Sequence, residues 1–306
     1  MSQVIGINNV EFSQMIEGTL RDDQAFNTLP RALRMEYSTP DMEAIVIPQA
    51  GTDAEIVKNN NEYPATISQR EDTPHIYTLD VLEVKPRLIQ YKEQAALTYN
   101  KAESILREMI GGLGLRSARE VYANLYHKTT GMFVETTGAD IVGHAPGVTT
   151  GEYKSFTFKD LQTAVLALRR QGVSGPLELI ADSAMVMQLL QDIQKGGNYN
   201  FTREGASFVL PALPGITVHE VINLLYTDAS RNLREVTNTT GSTTDKAVAL
   251  LVSKPLTSYV LDSWNTFVEP VKADYYGALY SASTRFGSKY RRLDKKGVMP
   301  IIQAAK

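Results

Sequence analysis

Four histidines, His75, His127, His144 and His219, are the first residues of this 306-residue chain to test for chemistry. A metal-binding helix spaces its histidines at i, i+3 or i+4, and no two of these are so placed. Asp140 and His144 stand close together, but in a glycine- and threonine-rich stretch, where two lone ligands read as solvated side chains. The carboxylate pairs Asp22–Asp23 and Glu71–Asp72 lie in polar stretches and read the same way. No G-x-S-x-G nucleophile elbow occurs. Cysteine is absent, which removes disulfides, thiolate metal ligands and thiol nucleophiles, and suits a protein matured in a reducing cytoplasm. The expectation is no catalytic, cofactor-binding or metal site, hence a structural chain and not an enzyme.

One stretch still has to be explained, "REMIGGLGLRSAREVYANLYH", with Gly111, Gly112 and Gly114 close together. A phosphate cradle would need G-x-G-x-x-G after a strand, or G-x-x-x-x-G-K-[ST]. Gly112-Leu113-Gly114-Leu115-Arg116-Ser117 lacks the last glycine, and what precedes it is helical. Leu106, Ile110, Leu113, Ser117, Val121 and Leu125 recur every three or four residues straight through the glycines. A loop would reset that phase. The spacing predicts one helix from about Lys101 to His127, roughly 40 Å long at about 1.5 Å per residue. Each interior glycine costs about 1 kcal/mol relative to alanine, so bending or close packing must compensate.

The formal charge of -3 is near neutral for this length, so a dedicated nucleic-acid binder is not indicated. "SKYRRLDKKG" is the one basic cluster, and it reads as a surface strand or a subunit contact. The opening residues lack the basic and apolar regions of a signal peptide. No apolar run reaches membrane-spanning length.

The elements that would frame these residues follow in order. Residues 1–41 read as an arm with one short helix, interrupted by Gly18, Pro30 and Pro40. "EAIVIPQ" and "HIYTLDVLEVKP" read as strands around a polar, turn-rich segment; locally this is an ordinary surface hairpin over 42–85. After the long helix, Thr129 to Gly151 is a connector. Thr157-Phe158-Lys159-Asp160 fits a capping box opening a helix with Leu161, Val165 and Leu168 on one face. "GPLELIAD" is a buried strand, and Asp182 or Ser183 caps the helix carrying Val186, Leu189, Leu190 and Ile193. "GITVHEVINLL" and "KAVALLVSKPLTSYVLD" add strands, and the tail has strand-like runs broken by glycine. The fold class is α+β.

This order of elements resembles the major capsid proteins of tailed bacteriophages, the Hong Kong 97-like shell fold shared with encapsulins. "LREMIGGLGLRSAREVYANLYH" and "FKDLQTAVLALRRQGVSGPLELIADSAMVMQLL" carry the resemblance most closely, and it covers nearly the whole chain. It implies an N-terminal arm (1–41), an extended E-loop hairpin (42–85) and a P-domain (86–156) whose spine helix is about 101–127. An A-domain (157–268) and a return to the P-domain (269–306) complete it. The implied function is self-assembly into hexamers and pentamers of an icosahedral shell enclosing double-stranded DNA. The implied partners are further copies of itself, a separate scaffolding protein, a portal, decoration or head-completion proteins and weak non-specific contact with DNA, with no membrane. The implied location is the virion capsid, assembled in the host cytoplasm. Some relatives crosslink a hairpin lysine to a neighbour; nothing marks Lys58 as reactive, and no crosslink is expected. The competing readings are an encapsulin-like compartment and a cytoplasmic α+β enzyme.

Overall fold

The computed structural model describes residues 24–36, 43–49, 56, 58–59, 72–90, 92, 101–142, 152–195, 203–204, 207–210, 215–222, 224–234, 242–262 and 264–306. Most of the expected arm and the hairpin tip lie outside them.

Helix α1 (Gln24–Ala32) leads into the short strand β1 (Arg34–Met35). Pro30 sits in its last turn and supplies no N–H to the helix ladder, and the helix ends two residues later. Strands β2 (Ala44–Gln49) and β3 (Thr73–Thr78) form a two-stranded antiparallel sheet, pairing Ala44 with Thr78 and Gln49 with Thr73. Alternation puts Ile45, Ile47 and Tyr77 inward on Val260 of the same chain. Val46 and Ile76, on the opposite face, are 56% and 53% exposed. Strands β4 (Asp80–Glu83) and β5 (Arg87–Gln90) follow.

Helix α2 runs without a break from Lys101 to Leu125, through all three glycines. Every member of the expected stripe, Leu106 through Leu125, is buried. It ends two residues short of His127, whose ring instead meets the Val298 carbonyl at 3.2 Å. At Gly111 and Gly112 the close-packing account does not hold inside the subunit. A methyl group at Gly111 or Gly112 would meet nothing within 4 Å.

Strands β6 (Val134–Glu135), β7 (Asp140–Val142) and β8 (Glu152–Lys154) come next. Helix α3 (Phe158–Arg170) opens on the expected capping box of Thr157 and Asp160, a device that contributes about 1 kcal/mol. Strand β9 (Leu177–Asp182) delivers Asp182, which accepts from the Ala184 amide at 3.1 Å and so caps α4 (Ser183–Lys195). Strands β10 (Arg203–Glu204), β11 (Ser207–Val209), β12 (Ile216–Val221), β13 (Leu225–Thr227), β14 (Leu233–Arg234) and β15 (Lys246–Val252) complete the middle region. The chain ends with β16 (Thr257–Leu261), β17 (Asn265–Lys272), β18 (Gly277–Tyr290) and β19 (Val298–Ile302).

Two larger sheets result. One has six strands, with β18 as its long member pairing β16 and β17 as well as β4 and β5. The other has nine, in the order β10-β11-β12-β9-β15-β13-β14, with β19 on β15 and β6 on β19. Sheet membership crosses the boundaries expected at 157–268 and 269–306: β16 and β17, the latter spanning position 268, join the six-stranded sheet, and β19 joins the nine-stranded one. Nor does glycine break β18. Gly287 lies within it because a Cβ there would come within 2.7 Å of Leu79.

Helices α3 and α4 cover one face of the nine-stranded sheet through Leu161, Leu168, Met185 and Leu189. A second cluster, with Leu29 of α1, Leu33 just after it, Val121 and Tyr122 of α2, Leu250 of β15 and Phe286 of β18, joins both sheets. The N-terminal half of α2 rests on Ala278 and Tyr280 of the six-stranded sheet. Long helix and sheets thus form one continuous packed structure.

Candidate functional site

The sequence candidates disperse. Asp140 pairs with Lys154 at 2.6 Å and Lys306 at 3.4 Å, and its hydrogen bond to Lys154 holds the carboxyl below its ordinary range. It is a tie between strand and C-terminus; His144 lies outside the described residues. Among the described residues no three of His, Cys, Asp and Glu gather to hold a metal. Four cations of the basic cluster are engaged within the chain. Arg291 binds Glu36, and Arg292 and Lys296 meet Asp294 at 3.0 and 3.3 Å. Lys295 lies over the Tyr290 ring and donates to Thr129. These residues staple a turn in which Lys295 has φ 59°.

His75 and His127 are both buried, and desolvation lowers both pKa values from 6.5. Each leaves one ring nitrogen without a hydrogen-bond partner, Nε2 of His75 and Nδ1 of His127. They are packing residues.

His219 differs. Its neighbour across the β11–β12 ladder is Ser207, and across the β12–β9 ladder is Ile180, so Glu178 stands on the same sheet face. Nε2 lies 2.8 Å from Glu178 Oε2, and Nδ1 lies 2.9 Å from Ser207 Oγ. A carboxylate only accepts, so Nε2 carries the hydrogen and Nδ1 receives the serine hydroxyl. Arg31, arriving on α1, places Nη1 3.5 Å from the same Oγ. The imidazole is 2% exposed. Sequence reasoning missed this set, because positions 178, 207 and 219 meet only through strand register. The one available signal was a histidine in a strand that also carries Ile216, Val218 and Val221.

A cavity of about 300 Å³ opens between α2 and β13–β14, lined by Arg116, Arg119, Asn124, Tyr226, Leu233 and Arg234 among others. Arg116 pairs with Glu120 at 2.6 Å, and Arg234 with the buried Asp245 at 2.8 Å. Burial pushes the Tyr226 phenol pKa upward, so it stays neutral. This lining can hold an anionic or apolar group, but it contains no nucleophile beside a base.

No protein-family model matches the sequence, and no curated protein matches it. The fold has solved counterparts. The capsid of cyanophage P-SCSP1u aligns at TM-score 0.57 and 16% identity over 88% of this chain and 85% of that one. The head of Helicobacter pylori bacteriophage KHP40 aligns at 0.60 and 10% identity, over 90% and 87%. The SrpI encapsulin of Synechococcus elongatus aligns at 0.57 and 10%, over 89% and 86%. The chain therefore has the α+β, Hong Kong 97-like fold of these shell proteins.

Proposed function

We propose that this chain is a major capsid protein, a structural subunit that self-assembles into the hexamers and pentamers of an icosahedral phage shell around double-stranded DNA. The observation that carries the proposal is the near full-length alignment with phage capsid subunits. The β2–β3 hairpin fits it: its two-stranded sheet packs one face on Val260 and turns Val46 and Ile76 outward, an apolar face suited to another copy. In this reading the hairpin is the E-loop, α2 with the six-stranded sheet the P-domain, and the nine-stranded sheet the A-domain. A separate scaffolding protein, a portal and decoration or head-completion proteins complete assembly in the host cytoplasm. Packaged DNA makes only weak, non-specific contact, consistent with the internal pairing of the basic cluster. No enzymatic step belongs to the shell role.

Purified protein should sediment as rings or shells of many copies and show closed particles in negative stain. A monomer that persists across salt and concentration sinks the proposal. An encapsulin-like compartment is the second reading, favoured by the alignment with SrpI. Particles enclosing a protein cargo in place of a genome would establish it.

A further inference from the structure

Ser207, His219 and Glu178 form a continuous hydrogen-bond chain across β11, β12 and β9. We propose that Ser207 is an activated nucleophile that is acylated by small carboxylic esters, with His219 as its base, Glu178 as the group that orients the base, and Arg31 as the cation facing the developing oxyanion. The proposal does not rest on the shell reading.

Three observations carry it. The distances of 2.9 and 2.8 Å put nucleophile, base and orienting carboxylate in one directed chain, Ser207 to His219 to Glu178. The chain is more than this fold asks of a buried histidine. His75 and His127 are buried with one nitrogen unpartnered, whereas both nitrogens of His219 are engaged. Access exists as well: Ser207 is half-buried, and Val209, on the same face of β11, is 52% exposed. The imidazole is 2% exposed, and in the resting protein the Ser207 hydroxyl occupies Nδ1.

The step balances without any other reagent. Oγ bonds to the acyl carbon while its proton passes to Nδ1, and the imidazolium formed is held by Glu178. The tetrahedral oxyanion lies toward Arg31. On collapse, the carbon–oxygen bond to the leaving alcohol breaks, and Nδ1 returns the proton to that alcohol. Water then hydrolyses the acyl-serine through the same relay.

The test is treatment of the native full-length protein with a fluorophosphonate and, separately, with 4-nitrophenyl acetate, locating the adduct by peptide mass spectrometry. The expected result is one adduct, on Ser207, absent from heat-denatured protein and from Ser207→Ala. The imidazolium formed loses its charged partner in the isosteric Glu178→Gln, which should slow labelling by at least about tenfold. Arg31→Gln, a change on the solvent side that leaves the sheet intact, should slow reaction with the ester, with thermal melting unchanged. Absence of an adduct on native Ser207, an adduct equally fast in Glu178→Gln, or labelling of a different serine would overturn the proposal. The three residues would then be only a tie between strands.

Discussion

Ser117 donates its hydroxyl to the backbone carbonyl of Gly114 at 2.9 Å, in the buried middle of α2. A serine that bonds back one turn loosens the local ladder and favours bending. It does so beside three glycines, in the part of the helix where Leu113 still faces the six-stranded sheet and Val121 already faces both. The softest segment of α2 therefore lies where its packing partners change.

Replacing both Gly111 and Gly112 by alanine should stabilise the isolated subunit by up to about 2 kcal/mol, because helix propensity rises and no methyl clashes. If the glycines serve assembly, that gain comes with impaired shell closure or expansion, since their benefit must then arise outside the subunit or in its bending. Thermal melting of subunits and electron microscopy of particles read the two effects separately. A double variant that assembles and expands like the parent refutes a special role.

What the sequence disclosed and what it hid follow from the range of the interactions. Helix α2 was legible because Leu106 to Leu125 keep one phase within a single element, and α3 because its cap involves only Thr157 and Asp160. The unity of β18 was hidden, since Gly287 looks like a break until Leu79, far off in sequence, is seen against it. Ser207, Glu178 and His219 were hidden for the same reason. Strand register is a long-range property, and no spacing along the chain encodes it.

Shortening the hairpin should separate folding from assembly. The base is held by Ile45, Ile47 and Tyr77 on Val260, so replacing 51–72 with a short turn should leave soluble, folded subunits. Such subunits should fail to close shells if the removed segment contacts another copy. Normal particles from the shortened chain would make the segment a plain surface loop.

Asp160 should matter more than an ordinary cap. Its carboxylate accepts from the Thr137 amide at 3.1 Å and hydroxyl at 2.6 Å, and from the Thr157 amide at 3.0 Å and hydroxyl at 2.8 Å. Asp160→Ala leaves these donors in a protein interior without an acceptor, at a cost on the order of 3 kcal/mol. Asp160→Asn keeps the volume and one acceptor oxygen, and should lose less. Urea unfolding measures both; equal stability of Asp160→Ala and the parent would show that water replaces the carboxylate freely.

His127 should make the subunit acid-sensitive. Its Nε2–H donates to the Val298 carbonyl, joining the end of α2 to β19, while Nδ1 is buried without a hydrogen-bond partner. Burial lowers its pKa below 6.5, and the nearby Lys295 charge pushes the same way. Between that lowered value and 6.5 the unfolded chain binds a proton that the native state refuses, so unfolding takes up protons. Stability is therefore full above 6.5 and declines as the pH falls below it, until the folded-state pKa is passed. His75, lowered chiefly by burial and then by Lys289, adds to the same slope. His127→Gln keeps a donor for Val298 but cannot titrate. Its urea midpoint should fall less between pH 7.5 and 5.5 than that of the parent, whatever the change at neutral pH. An identical fall in both proteins would show that His127 is not the group taking up the proton.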